Sequence, residues 1–227
     1  MSLYITVDGP SGTGKGAISK WLYEYFNNHK DHAMILRDNR LDPLREHAAK
    51  IVPWCKKRGL DPKTFLLPLF AAGYQISEQE VARLLGQGNT IIRDRSFISA
   101  LAYQTSSRKF QPDEIWDLCV HYLGLQVPDC AVIVDCDVDV ALERIKRRSQ
   151  NDVGLGGKMS SGRTQHELVT NRFRELVATG YWKPSGLNIC YVYNNGPFSD
   201  DPAVIQAHMN LLGGAIIGHM EKTGVIR

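Results

Sequence analysis

The chain has 227 residues, 43% hydrophobic and 22% charged, with a formal net charge of +3. That length suits one sizeable domain and the composition excludes a disordered polyelectrolyte, while the small charge argues against a dedicated nucleic-acid or membrane surface. No apolar run is long enough to span a bilayer, the N-terminal MSLYITVDGPSG lacks the pattern of a signal peptide, and the five cysteines (Cys55, Cys119, Cys130, Cys136, Cys190) show no CxxC pairing. The expectation is a protein of the reducing cytoplasm, built without a disulfide or zinc framework.

Strand and helix signals then alternate along the chain. Leu3–Asp8 is a short β-branched run, a glycine-rich turn follows it, and Ile18, Trp21, Leu22, Tyr25 and Phe26 recur at helical spacing. Ala33–Leu36, Thr90–Arg93, Ala131–Asp135 and Ile189–Tyr193 read as four further buried strands. Asp42-Pro43 and Asp61-Pro62 each set a capping residue before a proline, a helix-start signal. Such alternation predicts parallel strands joined by right-handed crossovers: a three-layer α/β/α fold on a five-stranded parallel sheet, one domain over 1–227.

One stretch breaks the pattern. Ser149 to Arg163 reads SQNDVGLGGKMSSGR, preceded by the basic run Arg144–Arg148 and followed by Thr164-Gln165-His166-Glu167. The last four residues read as a capping box opening a helix whose Val169, Phe173 and Leu176 share a face. By composition alone the stretch is a surface loop; beside a phosphate site it reads as a glycine-rich lid, about 149–163, carrying the cations Arg148, Lys158 and Arg163. Near the C-terminus Val204, Ile205, Met209 and Leu212 predict a helix, with Gly213-Gly214 as its weak point.

The chemistry begins at Gly9-Pro10-Ser11-Gly12-Thr13-Gly14-Lys15, which fits G-x-x-x-x-G-K between a strand and a helix. Glycines let successive N–H groups aim at phosphate oxygens, the helix adds its positive dipole end, and Lys15 neutralises the β and γ phosphates. The segment Gly9 to Ala17 is therefore read as the cradle for ATP. Gly16-Ala17 stand where the full pattern has a Ser or Thr to ligate Mg²⁺, which leaves the metal to the nucleotide, to water, and to Asp8 or Asp94.

At the end of the third strand, Asp94-Arg95 puts an acid and a base where ligands gather in a parallel sheet. The run Asp94-Arg95-Ser96-Phe97-Ile98-Ser99-Ala100-Leu101-Ala102-Tyr103-Gln104 resembles the thymidylate kinase signature, in which Asp-Arg precedes a serine and then Ala-Tyr-Gln. Arg37, Asp38 and Pro43-Leu44 match the family's Arg-Glu-Pro-Gly-Gly-Thr-Pro-Leu segment, and Leu69-Phe70-Ala71-Ala72 matches the segment whose phenylalanine stacks on the acceptor base. The resemblance implies that Arg37 and Arg95 hold an acceptor monophosphate and that Phe70 stacks on its base. It further implies that Ser99, Tyr103 and Gln104 line the acceptor pocket, and that Asp8, Asp94, Lys15 and the lid cations serve phosphoryl transfer. Tyr74 stands where the family has a base-contacting arginine, and Asn39-Arg40-Leu41 replaces Pro-Gly-Gly.

The resemblance implies transfer of the ATP γ-phosphoryl to dTMP, with Mg²⁺, small nucleotides as partners, no membrane, and a homodimer as the suggested assembly. Other readings stay open: a kinase for a different monophosphate, a deoxynucleoside kinase, a kinase for a base within DNA, and a nucleotide-binding regulator without turnover. The two acceptor-side arginines argue against a nucleoside acceptor, and the small charge against a DNA substrate.

Overall fold

The five apolar runs form five strands: β1 (Tyr4–Asp8), β2 (Ala33–Arg37), β3 (Thr90–Asp94), β4 (Cys130–Asp135) and β5 (Asn188–Tyr193). This computed structural model describes residues 2–29, 31–37, 50–51, 53–55, 57–60, 62–151, 162–182, 185–196, 199 and 201–226, with side chains for all of these except 62–72 and 149–151. The strands pair in the order β2-β3-β1-β4-β5, all parallel. Boundaries move by one residue from the sequence reading, because the ladder and not hydrophobicity ends a strand: β2 and β3 run on to the registered pair Arg37 and Asp94, and β4 and β5 open on Cys130 and Asn188.

The helices are α1 (Lys15–Asn28), α2 (Pro62–Gly86), α3 (Phe97–Thr105), α4 (Pro112–Trp116, running into a π-helical turn over Asp117–Tyr122), α5 (Val138–Asn151), α6 (Arg163–Ala178) and α7 (Pro202–Lys222). Alternate strand residues face opposite layers, so one sheet supports two cores. Ile5, Val7, Val132 and Val134 meet Ile18 and Leu22 of α1 and Ile216 and Met220 of α7. On the other face Ala131 and Ile133 meet Leu101 of α3 and Val169 and Phe173 of α6. Tyr4 and Ile91 meet Val81 and Leu84 of α2. A fully buried side chain of this kind contributes about 1.5–3 kcal/mol, which is what fixes these helices across the sheet.

Three helix expectations are refined. α2 does open at Pro62, whereas Asp42-Pro43 lies outside the described residues. The capping box at Thr164 is not formed: α6 starts two residues earlier than such a cap would set it, with Gly162 as N-cap and no side-chain cap, and Glu167 instead takes Arg163 Nε at 2.9 Å. The C-terminal helix is continuous through Gly213-Gly214, because a Cβ on Gly213 would stand 2.4 Å from the Trp21 indole of α1. The glycine is there for close packing and does not end the helix. Of the expected lid, 152–161 lies outside the described residues; α5 leads up to it and α6 leaves it.

Candidate active site

Strand order reverses beside β1, whose neighbours β3 and β4 lead to opposite edges of the sheet. A crevice at the carboxyl end of β1 is the expected ligand position, and the loop from Gly9 to Gly14 fills it. Three of its carbonyls have side-chain partners. Pro10 O accepts from Lys15 Nζ (2.5 Å) and Thr13 Oγ1 (3.0 Å), Ser11 O from His166 Nε2 (2.8 Å), and Thr13 O from Asn194 Nδ2 (2.8 Å). In a trans peptide the C=O and the following N–H point opposite ways. The N–H groups of Gly12 and Gly14 are therefore turned away from His166 and Asn194, at the N-terminus of α1 where backbone N–H groups suit an anion. Gly12 sits tightly against α5, where an added Cβ would lie 2.3 Å from Ala141 O.

Lys15 is buried, and its pKa falls well below the ordinary lysine value. Desolvation is the main cause and the Arg95 guanidinium adds to it, against the opposing pull of Asp94 and Asp8; Arg148 at the lid end of α5 also acts on it. Positive charge is thus concentrated where a polyphosphate would relieve it.

The residues expected to meet an acceptor lie at the end of β3, in α3 and at the end of β2. Arg95 lies just beyond β3 with φ +76°, a left-handed conformation that costs a non-glycine residue about 1–2 kcal/mol. Its Nη2 donates to Ser11 Oγ at 3.3 Å and its guanidinium lies 5.9 Å from the Tyr103 ring centre. The Tyr103 hydroxyl meets the same Ser11 Oγ at 3.3 Å, so Ser11 joins the Gly9–Gly14 loop to Arg95 and to α3. Gln104 is buried, and its Oε1 has no hydrogen-bond partner among the described residues. Arg37 is exposed at the end of β2, in register with Asp94.

Asp8 is fully buried and takes four hydrogen bonds: Ser96 N (2.8 Å), Ser96 Oγ (2.8 Å), Ser99 N (3.1 Å) and Ser99 Oγ (2.6 Å). It ties β1 to the N-terminus of α3, where helix dipole and orphan N–H groups favour a carboxylate. Asp94 is only partly buried, and its Oδ2 lies 3.8 Å from where a Cβ on Gly16 would stand. The donor set for Mg²⁺ fits accordingly: Gly16 offers no hydroxyl, Thr13 Oγ1 is turned to Pro10, and Asp94 is the carboxylate that faces the cradle.

Sequence comparison decides the family. The thymidylate kinase family pattern matches residues 7–183. The chain belongs to the thymidylate kinase family. It is 27% identical to the thymidylate kinase of Leuconostoc mesenteroides over 175 residues, covering 77% of this chain and 81% of that one. To the thymidylate kinase of Bacillus licheniformis it is 27% identical over 179 residues (79% and 80%), and to that of Dehalococcoides mccartyi strain BAV1 29% over 181 residues (79% and 84%). Thymidylate kinases are phosphotransferases, and the parallel sheet with its phosphate loop is their fold.

Against the family pattern the departures become structural facts. Tyr74 in α2 donates its hydroxyl to Ser96 O at 3.1 Å, and the Arg93 guanidinium lies 5.4 Å from its ring centre. Arg93 is buried and paired with Glu78 at 2.8 Å; burial pushes the Glu78 carboxyl up, and Arg93 opposes the shift. Phe70 lies in α2 one turn before Tyr74, but its side chain is outside the described residues, as are the 38–44 segment and Lys158. Of the other lid cations, Arg148 is exposed on α5, and Arg163 opens α6 with its guanidinium on Asp139 (2.6 Å) and Glu167. Sequence reasoning missed His166 and Asn194. His166 carries no local signal; Asn194 could have been found as the first residue past the carboxyl end of β5.

Proposed function

We propose that the protein is a single-domain, lid-bearing nucleoside monophosphate kinase that transfers the ATP γ-phosphoryl to the 5′-phosphate of dTMP. The observation that carries the reading is the junction at Ser11, where the donor cradle and Arg95 of the acceptor side share one hydroxyl. An acceptor phosphate oxygen attacks Pγ, the bond from Pγ to the β,γ-bridging oxygen breaks, and dTDP and ADP leave. The acceptor oxygen is already a nucleophile, so the protein positions and neutralises. The cradle N–H groups and Lys15 take the donor phosphates, and Arg37 and Arg95 the acceptor phosphate. Phe70, Ser99, Tyr103 and Gln104 bound the acceptor, Arg148, Lys158 and Arg163 supply lid charge, and closure excludes water. Asp94 would hold Mg²⁺, which would supply charge neutralisation to the donor phosphates, while Asp8 positions Ser96 and Ser99. Cytoplasmic location and a homodimer rest on the family alone.

Tyr74 favours one second reading, a different or broader monophosphate preference. It places a neutral ring, with its hydroxyl engaged at Ser96, where the family has a guanidinium. A coupled ADP-release assay with ATP and Mg²⁺ across dTMP, dUMP, CMP, UMP, AMP, GMP and thymidine separates the two. Preferred turnover of dTMP is expected, with none of thymidine; another favoured monophosphate selects the second reading, and no turnover with any acceptor overturns both. In the same assay Lys15→Ala should lower kcat by about 10²–10³. Arg95→Ala should raise the acceptor KM far more than that of ATP.

A further inference from the structure

The family match ends at residue 183, yet the cradle is anchored from beyond it. Asn194, just past β5 and 2% exposed, donates Nδ2 to Thr13 O at 2.8 Å. Its Oδ1 receives His208 Nε2 at 2.9 Å from α7 and Gly196 N at 3.4 Å. Arg144 of α5 donates to Asn194 O (3.0 Å) and Gly196 O (3.3 Å), fixing the backbone of the same turn.

Two glycines mark how closely these groups approach. A Cβ on Gly14 would lie 2.4 Å from Asn194 Nδ2, and one on Gly196 would lie 2.1 Å from His208 Nε2. Gly14 also has φ +93°, the left-handed region open to glycine. The side-chain amide is oriented by its partners: a carbonyl oxygen can only accept, so Thr13 O selects the Asn194 amide nitrogen, and Oδ1 is left to receive His208. Burial, and then Arg144, lower the His208 pKa below its ordinary value, which favours the neutral ring with its single N–H at Nε2. Holding Thr13 C=O outward holds the Gly14 N–H inward.

We propose that His208, acting through Asn194, is a positioning residue for the donor nucleotide. The C-terminal helix α7 reaches into the site by this relay and sets the inward N–H of Gly14 at the N-terminus of α1. The inference rests on the donor-site reading of the cradle.

The test measures ADP affinity calorimetrically for the full-length protein and four kinds of variant. His208→Phe keeps a ring against Gly196 and removes the donor; it should weaken ADP about tenfold, the scale on which loss of an outer supporting hydrogen bond is felt. KM for ATP should rise with it, while the acceptor KM and the melting temperature without nucleotide stay near wild type. His208→Gln, which retains an N–H donor, should recover most of the loss. Asn194→Ser removes the bridge, and adding His208→Phe to it should weaken ADP no further. Unchanged ADP affinity in His208→Phe, or additive losses in the double variant, overturns the relay. Should His208→Phe not fold, His208→Leu, which also lacks a donor, with and without Asn194→Ser gives the same cycle, with the same two overturning results. A uniform loss of ADP, acceptor and thermal stability makes His208 structural and also overturns it. Lys15→Ala runs alongside: ADP affinity that survives it would overturn the donor-site reading itself, a result distinct from any of these.

Discussion

A buried lysine beside a guanidinium is costly, and Lys15 shows what the cost is for. Desolvation first, and then Arg95, hold its pKa well below the ordinary lysine value in the free protein. Nucleotide phosphates favour the charged ammonium, so binding must raise that pKa. Between the depressed value and the bound value the complex holds a proton that the free protein has lost. Binding should therefore take up as much as about one proton in that window, and ADP affinity should fall as pH rises through it. Calorimetry in buffers of different ionisation enthalpy measures this directly. Uptake that persists unchanged in Lys15→Ala would assign the proton elsewhere. At this scale the G-x-x-x-x-G-K spacing made Lys15 and its loop legible, because the motif is contiguous. Nothing in the spacing of His166 marks it, since its partner Ser11 is 155 residues away.

Among the elements, α7 carries the sharpest contrast. Gly213 and Gly214 are neighbours in one helix, and a glycine there costs about 1 kcal/mol relative to alanine. A methyl on Gly213 meets the Trp21 indole at 2.4 Å, whereas one on Gly214 meets nothing within 4 Å. Gly213→Ala should thus lose about 1–3 kcal/mol by overpacking, and Gly214→Ala should gain up to about 1 kcal/mol. Denaturant midpoints of the two variants check the opposite signs, and equal signs would mean that α7 does not lie on Trp21. Local signals served unevenly here. Asp201-Pro202, not singled out in the sequence, caps α7, with Asp201 Oδ1 accepting from Ala203 N at 2.8 Å. Gln111-Pro112 opens α4 by a similar device that the sequence reading passed over. The capping box at Thr164 failed because Arg163, drawn to Asp139 and Glu167, begins the helix two residues earlier than a Thr164 cap would.

For the whole molecule, Asp8 is the joint. It ends the strand that launches the cradle and takes four hydrogen bonds from the turn that opens α3, the helix carrying Tyr103 and Gln104. Asp8→Asn would set an amide against those donors, costing about 3 kcal/mol of stability, with the Mg²⁺ dependence of the remaining activity unaltered. A shifted Mg²⁺ requirement at undiminished stability would return Asp8 to the metal. Asp8 and Asp94 look equivalent in the sequence, but their surroundings differ: one carboxylate is enclosed by serines, the other faces Gly16.

The sequence by itself determined the five strands to within a residue, their parallel pairing, and the family through the Gly9–Lys15 loop and the Asp94–Gln104 segment. Each of these is written in contiguous residues, as hydrophobic period, glycine spacing or a strand-end dipeptide. Tertiary structure alone decided which side chains hold the carbonyls of the Gly9–Gly14 loop, that Ser11 meets both Arg95 and Tyr103, and that α7 is linked to the loop through His208 and Asn194. Those facts depend on side chains that meet only after the sheet has brought distant segments together, and local patterning carries no record of such meetings.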